Sequence, residues 1–374
     1  MRALPRLPLA SAVLLASALH PAAAQTLVAP ATGSGVFDRE LRQVADGVYV
    51  AVRPDVFRQP VEPNVAFIVN DEDVVVVDSG GGVAAAESAL RLLRMVTDLP
   101  VRYLVNTHWH GDHVLGNAVF LQAFPGAEVV GHSRTITGMT GENIGLERFQ
   151  PQLVDMIGSL RKGVETGLDD QGAPLTPERL ARWRQMLPDT EAALAEYRRA
   201  RIEKPTLIVD GAMTLWRGER EIQIRHLGRG NTDGDLVVWL PRERVVLSGD
   251  LVVHPLPYGF GSFPAEWLET LDRLAGLDFL HLVPGHGEIQ SDATYLRQLQ
   301  ALIRKIRDDV GAAVRSGASL EAARAAIDLG ELADVFTAGD ERRRALLDAW
   351  LIQPLSLSAF REAKGEPIVQ GQTG

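Results

Sequence analysis

The sequence predicts an α/β protein in which sheets pack between helical layers. β-Branched runs bounded by Gly, Asn and Asp recur in two separate halves of the chain. Each group of runs is followed by apolar residues at helical spacing, and a long polar helical stretch lies between the halves. Sheets of this kind need apolar cover on their outer faces, which helices supply.

The first residues read as an export signal. Arg2 and Arg6 precede the apolar run LPLASAVLLASAL, and the small residues of HPAAAQ follow. This is the layout of a secretory signal peptide over residues 1–24, with cleavage expected after Ala24. The run falls short of the ~20 apolar residues that a spanning helix needs. No later stretch is long and uncharged enough to span either. The mature chain is therefore expected to be exported without a membrane span, with a bacterial periplasm as its destination.

Strands follow over residues 47–82, in GVYVAV, NVAFIV and DVVVVDSGGG, broken by Asn-Asp and Gly turns. Residues 83–97 read as a helix with Ala86, Leu90, Leu93 and Met95 as its apolar stripe. The strand VRYLVNT comes next, then a short helix near 117–124 and a strand at 127–131. Residues 133–203 read as a helical insertion, rich in Arg, Glu, Leu and Ala, with Leu153, Met156, Ile157 and Leu160 at helical spacing. Thr176 and Pro177 open one of its helices with a capping residue and a first-turn proline.

Strand character resumes in TLIVDGAMTLW, REIQIRHL, GDLVVWLP and RVVLSGD. A helix around 265–274 then leads to a last strand in FLHLVPGHG. From Asp292 the chain reads helical, with Tyr295, Leu299, Leu302, Ile303, Ile306 and Val310 on one face and Gly317 as a stop. The expected organisation is one domain over 25–290 that carries the insertion, followed by a C-terminal helical extension over 291–374.

Composition narrows the chemistry. The chain has no cysteine, so any metal must be held by nitrogen and oxygen, and the fold must stand on its core. Net charge is −10 with no basic stripe, which argues against nucleic acid and leaves a small-molecule substrate as the expected partner. Nothing in the sequence sets the oligomeric state.

The chemistry-bearing stretch is NTHWHGDHVLGN, residues 106–117. His108, His110, Asp112 and His113 fall within six residues of one another, in a chain with nine histidines in all. On extended backbone, side chains two apart point the same way, so His108 and His110 can converge. Gly111 is expected to let the chain turn sharply and bring Asp112 and His113 toward a second point. Imidazoles and a carboxylate contribute less to a core than Leu or Val, so packing does not account for them. Two later strands end the same way: RVVLSGD in Asp250 and FLHLVPGHG in His286. Strand ends at one sheet edge are where α/β proteins assemble sites.

The His-x-His-x-Asp-His run, the later Gly-Asp and the Pro-Gly-His-Gly, in that order over residues 45–290, resemble the metallo-β-lactamase superfamily. The resemblance implies an αββα sandwich with one or two metal ions at its edge, zinc first, with iron or manganese as alternatives. It implies that His108 and His110 bind a first metal, and that Asp112, His113 and His286 bind a second. Asp250 would bridge both, and Asp78 would support the metal loop from behind. Asp112 would also orient the nucleophile and shuttle its proton.

The implied activity is that of a hydrolase in which zinc-bound hydroxide opens a β-lactam, lactone or thioester. Trp109 and the segment HPLPYGFGSF, Tyr258 included, would wall the substrate. The family also expects a histidine in a Gly-x-x-His-Thr stretch, where LGRGNTDGD places Asn231. An amide oxygen is a weaker zinc ligand than imidazole. Asn231 is therefore expected to face the centre as a weak ligand or a substrate contact, with His226 and His254 supporting the site and not replacing the ligand. An iron-dependent sulfur dioxygenase is the alternative on this fold, disfavoured by Asn231. A non-catalytic metal-binding protein is a further one, disfavoured by six intact ligand-type residues.

Overall fold

The computed structural model of the chain describes residues 25–31 and 35–370; the expected signal peptide lies outside them. Eight strands form the first sheet: β1 (Thr26–Ala29), β2 (Glu40–Ala45), β3 (Val48–Val52), β4 (Val65–Val69), β5 (Val74–Val77), β6 (Val101–Val105), β7 (Glu128–Gly131) and β8 (Leu207–Ile208). They lie side by side in chain order, antiparallel from β1 to β5 and parallel from β5 to β8. Parallel neighbours need crossover connections. The helix Val83–Val96 supplies the first, Asn117–Ala123 lies in the second, and the helical insertion forms the third.

The second sheet holds β9 (Ala212–Arg217), β10 (Arg220–Arg225), β11 (Val237–Leu240), β12 (Val245–Leu247) and β13 (His281–Val283), with β9 and β13 at its two edges. Only β12 and β13 run parallel, joined across the helix Pro264–Ala275.

The strand period of two sorts side chains into layers. Val75 and Val77 meet Ile222, Ile224 and Val238 between the sheets. Val74 and Val76, pointing the other way, meet Ala86, Ala89 and Leu93 of the first crossover helix. On the outer face of the second sheet, Val246 and Leu282 pack against Trp267, Leu299 and Ile303. Helix, sheet, sheet and helix follow in that order, the αββα sandwich that the resemblance implied.

The insertion consists of the helices Ser133–Gly138, Gly141–Ile144, Leu146–Thr166 and Pro177–Arg199. Thr176 Oγ1 accepts from the Arg179 amide at 3.2 Å, with Pro177 in the first turn. The C-terminal helices begin with Thr294–Arg315, whose expected apolar face is buried, and end with Gln353–Lys364. Among the described residues no helix is long and apolar enough to cross a membrane.

Three local expectations change. Met95 is 60 % exposed because it lies nine residues from Ala86, half a helical turn out of phase with the buried stripe. Met156 is 45 % exposed while Ile157 and Leu160 are buried, because the long hairpin buries only a narrow seam. The run TLIVDGAMTLW is not one strand. It breaks at Asp210 and Gly211, giving β8 to the first sheet and β9 to the second.

Candidate metal centre

β6 ends at Val105 and releases the chain into the loop that carries His108, His110, Asp112 and His113. Reciprocal amide bonds between Asn106 and Asn117, at 2.8 and 3.0 Å, close this loop at its base. Asp78, at the end of β5, sits at φ +61° and sends its carboxylate under the loop. It accepts from Thr107 N at 2.8 Å and from Thr107 Oγ1 at 2.9 Å, and it pairs with His113 Nδ1 at 2.8 Å. Gly111 does not make a left-handed turn but opens the short helix Gly111–Val114. Glycine is needed there for close approach: an added Cβ would lie 2.8 Å from the Ile144 side chain of the insertion.

Asp250 follows β12 and His286 follows β13, adjacent strands whose ends deliver both residues to the same edge. Gly285 makes room for Asp250, since a Cβ at 285 would fall 1.9 Å from Asp250 Oδ1.

The side chains converge. His113 Nε2 lies 3.2 Å from His286 Nε2, 3.3 Å from Asp250 Oδ1 and 3.5 Å from Asp112 Oδ2. His286 Nε2 is 3.1 Å from Asp112 Oδ2. His108 Nε2 is 2.9 Å from His110 Nδ1 and 3.8 Å from Asp250 Oδ2. Two trios have ligand atoms close enough to hold an ion: His108, His113 and Asp250, and Asp112, His113 and His286.

The outer ring nitrogens show what this cluster lacks. His286 Nδ1 meets the Glu62 carbonyl oxygen at 2.9 Å, a group that only accepts. His113 Nδ1 meets the Asp78 carboxylate, and His108 Nδ1 meets Thr107 Oγ1, whose own proton goes to Asp78. Each outer nitrogen therefore faces a group that accepts its proton, and Nε2 is the atom that each ring turns into the cluster. Three inward Nε2 atoms beside two carboxylates form a place for positive charge, a proton or a metal ion, and acceptor-held outer nitrogens are the usual arrangement of metal-ligating histidines. The donor set fits zinc or a similar divalent ion.

Electrostatics agree. Burial opposes charge on His113, but Asp250, Asp112 and Asp78 outweigh it and hold the imidazolium well above its ordinary pKa. Burial and the neighbouring histidines drive His108 well below the ordinary value. Burial opposes ionisation of Asp112, yet His113, His286 and His110 keep its carboxyl well below the usual range. The site demands a cation, and a proton shared through His113 fills that need when nothing else does.

The other predicted residues fall as follows. Asn231 is fully buried; its Nδ2 donates to Tyr258 O at 3.1 Å and its Oδ1 has no hydrogen-bond partner. His226 is directed elsewhere, with Nδ1 on Asp235 O at 2.9 Å and its ring against His132. His254 packs edge-on against Tyr295. Trp109 is not a substrate wall. It is buried with Val114, Leu115, Met139 and Ile144 beneath the insertion. Tyr258 does border the centre, its ring 5.2 Å from that of His286.

Several contributors left no mark in the sequence. Glu62 lends a carbonyl to His286, while its buried carboxylate pairs with Arg39 at 2.8 Å and accepts from Gly81 N at 3.1 Å. Arg58 in the same loop grips Asp189 of the insertion through two 2.6 Å bonds. Tyr197, also of the insertion, is pushed up to about 12 by burial and by Asp112 and Glu62. A lone carboxylate beside proline, or a tyrosine in an amphipathic helix, gives no pattern to read.

Residues 58–286 match the sequence model of the Metallo-beta-lactamase superfamily. The chain is 24 % identical over 253 residues to the linear primary-alkylsulfatase of Pseudomonas sp. (strain ATCC 19151), covering 64 % of this chain and 43 % of that protein. It is 24 % identical over 207 residues to metallo-beta-lactamase type 2 of Bacillus sp. (strain 170), covering 52 % of this chain and 76 % of that one. The chain thus spans less than half the length of the alkylsulfatase. Among solved structures, a stereoselective inverting sec-alkylsulfatase from Pseudomonas sp. superposes with a TM-score of 0.58 at 15 % identity, over 87 % of this chain and 50 % of that one.

Proposed function

The chain belongs to the metallo-beta-lactamase superfamily, and on that footing we propose that it is an exported, zinc-dependent hydrolase of a carbonyl-centred bond in a small molecule. One observation carries this reading: the Nε2 atoms of His113 and His286 face each other at 3.2 Å between Asp112 and Asp250. On the family pattern His108, His110 and Asp250 would hold one ion, and Asp112, His113 and His286 another. His110 stands outside both trios, however, and His113 takes its place beside His108 and Asp250. Zinc, when bound, supplies Lewis acidity and lowers the pKa of water toward neutrality.

The chain's own residues do the rest. Asp78 and the Glu62 carbonyl fix the tautomers of His113 and His286, so neither ring turns away during reaction. Asp112, partly exposed and held ionised, is placed to take a proton from attacking water and return it to the leaving group. Asn231 offers the substrate or the first ion its unpartnered oxygen. The apolar and small residues of 1–24 support delivery to the periplasm.

A second reading, sulfate-ester hydrolysis, is favoured by the similarity to the linear primary-alkylsulfatase. The experiment is metal analysis of the purified protein together with turnover of a β-lactam, a lactone, a thioester and an alkyl sulfate, before and after chelation. Zinc with chelator-sensitive opening of a carbonyl substrate is the expected result. Turnover of the sulfate alone would move the assignment to the second reading. Iron with oxygen uptake, or absence of metal, would overturn both.

A further inference from the structure

We propose that Trp350 of the C-terminal helices is a substrate-binding residue, forming with Tyr258 and Phe57 an aromatic wall that takes the aliphatic chain of an amphiphilic substrate.

The rings form a continuous series leading away from the centre. Tyr258 stands edge-on to His286 at 5.2 Å, and Trp350 stands edge-on to Tyr258 at 5.4 Å. Phe57 stacks on Trp350 at 6.4 Å. Tyr258 is buried, whereas Trp350 and Phe57 keep part of their surface open. The ring series thus begins at the His286 imidazole with the buried Tyr258 and reaches partly open surface at Trp350 and Phe57. Small-molecule sites are mostly apolar walls with a few fixed polar groups. Here the imidazoles and carboxylates lie at one end, while the Arg343 guanidinium stands over Phe57 at the other, 5.2 Å from its ring.

The backbone holds Trp350 in place by a device that packing alone would not require. Trp350 lies in a π-helical turn, Asp348–Ile352, a distortion found often at functional sites. Four residues on, where a helix would return an N–H to the Trp350 carbonyl, stands Pro354, which has none. Gly259, next to Tyr258, supplies that bond instead, from its amide to Trp350 O at 2.8 Å. Gly259 approaches so closely that a Cβ there would lie 3.1 Å from Leu351 O. The freed carbonyl therefore ties the C-terminal helices to the residue that follows Tyr258, whose ring packs on His286.

A wall of this extent suits a substrate with a reactive polar bond at one end and an aliphatic chain at the other. The choice of chain rests on the hydrolase reading above for its scissile bond, and an acyl ester or an alkyl sulfate would present the same apolar part.

The test has two arms on the full mature chain. In the first, binding of dansyl-aminoundecanoate is measured by fluorescence titration with the wild type and with Trp350→Ala. In the second, kcat/KM is compared for octanoyl and acetyl p-nitrophenyl esters, and for octyl and ethyl sulfates. Trp350→Ala is expected to weaken the probe about tenfold and to lower the long-to-short kcat/KM ratio by a similar factor, with metal content as in the wild type. Wild-type probe affinity, or an equal loss for long and short substrates, would overturn the proposal, the latter marking a purely structural role. If no ester or sulfate is turned over, the probe arm alone decides the wall, and the hydrolase reading is decided by the β-lactam, lactone and thioester assays above. If the alanine variant does not fold, Trp350→Leu and Phe57→Ala carry the same comparison.

Discussion

Replacing Asp78 with asparagine separates the two tasks of that carboxylate. Asparagine keeps one oxygen for Thr107 N and Oγ1, now 2.8 and 3.1 Å from Oδ1. It places an amide NH2 where Oδ2 meets His113 Nδ1 at 2.8 Å. Two donors then face each other in a fully enclosed position, and the His113 proton loses its acceptor. An unsatisfied buried donor costs about 1–3 kcal/mol. Loss of a carboxylate behind a ligating histidine weakens metal by about 10- to 100-fold, the same range at about 1.4 kcal/mol per factor of ten. Zinc affinity by competition with a chromophoric chelator should fall by that factor, and urea unfolding in chelator should show a loss of ~1–3 kcal/mol. Wild-type zinc affinity in Asp78→Asn would refute the claim that this carboxylate holds the His113 ring in position for a metal ion.

Three further outcomes are expected. Burial, against the Thr232 bonds, pushes Asp235 up to about 8 from its ordinary 3.8. Between those values the native state binds a proton that the unfolded chain does not, so stability should fall as pH rises from about 4 to about 8, at no more than ~1.4 kcal/mol per pH unit. Asp235→Asn should flatten that slope in urea unfolding at stepped pH. The helix Val83–Val96 has no side-chain cap of its own, and Glu196 of the insertion accepts from Ala84 N at 2.7 Å; Glu196→Ala should destabilise the protein by about 1 kcal/mol in chemical denaturation. Asn231→His should raise occupancy of the first metal position in zinc analysis, and unchanged content would place residue 231 away from the centre.

The sequence announced the centre because its side chains come in a dense run, His108 to His113, and at two strand ends, Asp250 and His286. Valine runs that alternate between two buried faces, as in Val74 to Val77, likewise made the sandwich legible. What escaped was everything set by tertiary contact. Trp109 looked available because nothing local shows that the insertion folds over it. Gly111 looked like the pivot of a sharp turn, although its purpose is to let Ile144 approach. The break at Asp210 and Gly211 passes the chain from one sheet to the other, a choice that strand propensity does not encode. Glu62 acts on His286 through a backbone carbonyl, which every residue has and no motif records.

The clamp between Arg58 and Asp189 bears on any attempt to trim or transplant this protein. The loop that orients His286 through Glu62 is anchored, four residues earlier, to Asp189, which lies 131 positions after Arg58 in the hairpin of the insertion. Deleting that hairpin to obtain a minimal scaffold would loosen the His286 imidazole without touching it. The insertion is thus a brace for the reactive end of the molecule, and a pared-down version would have to supply a substitute for it.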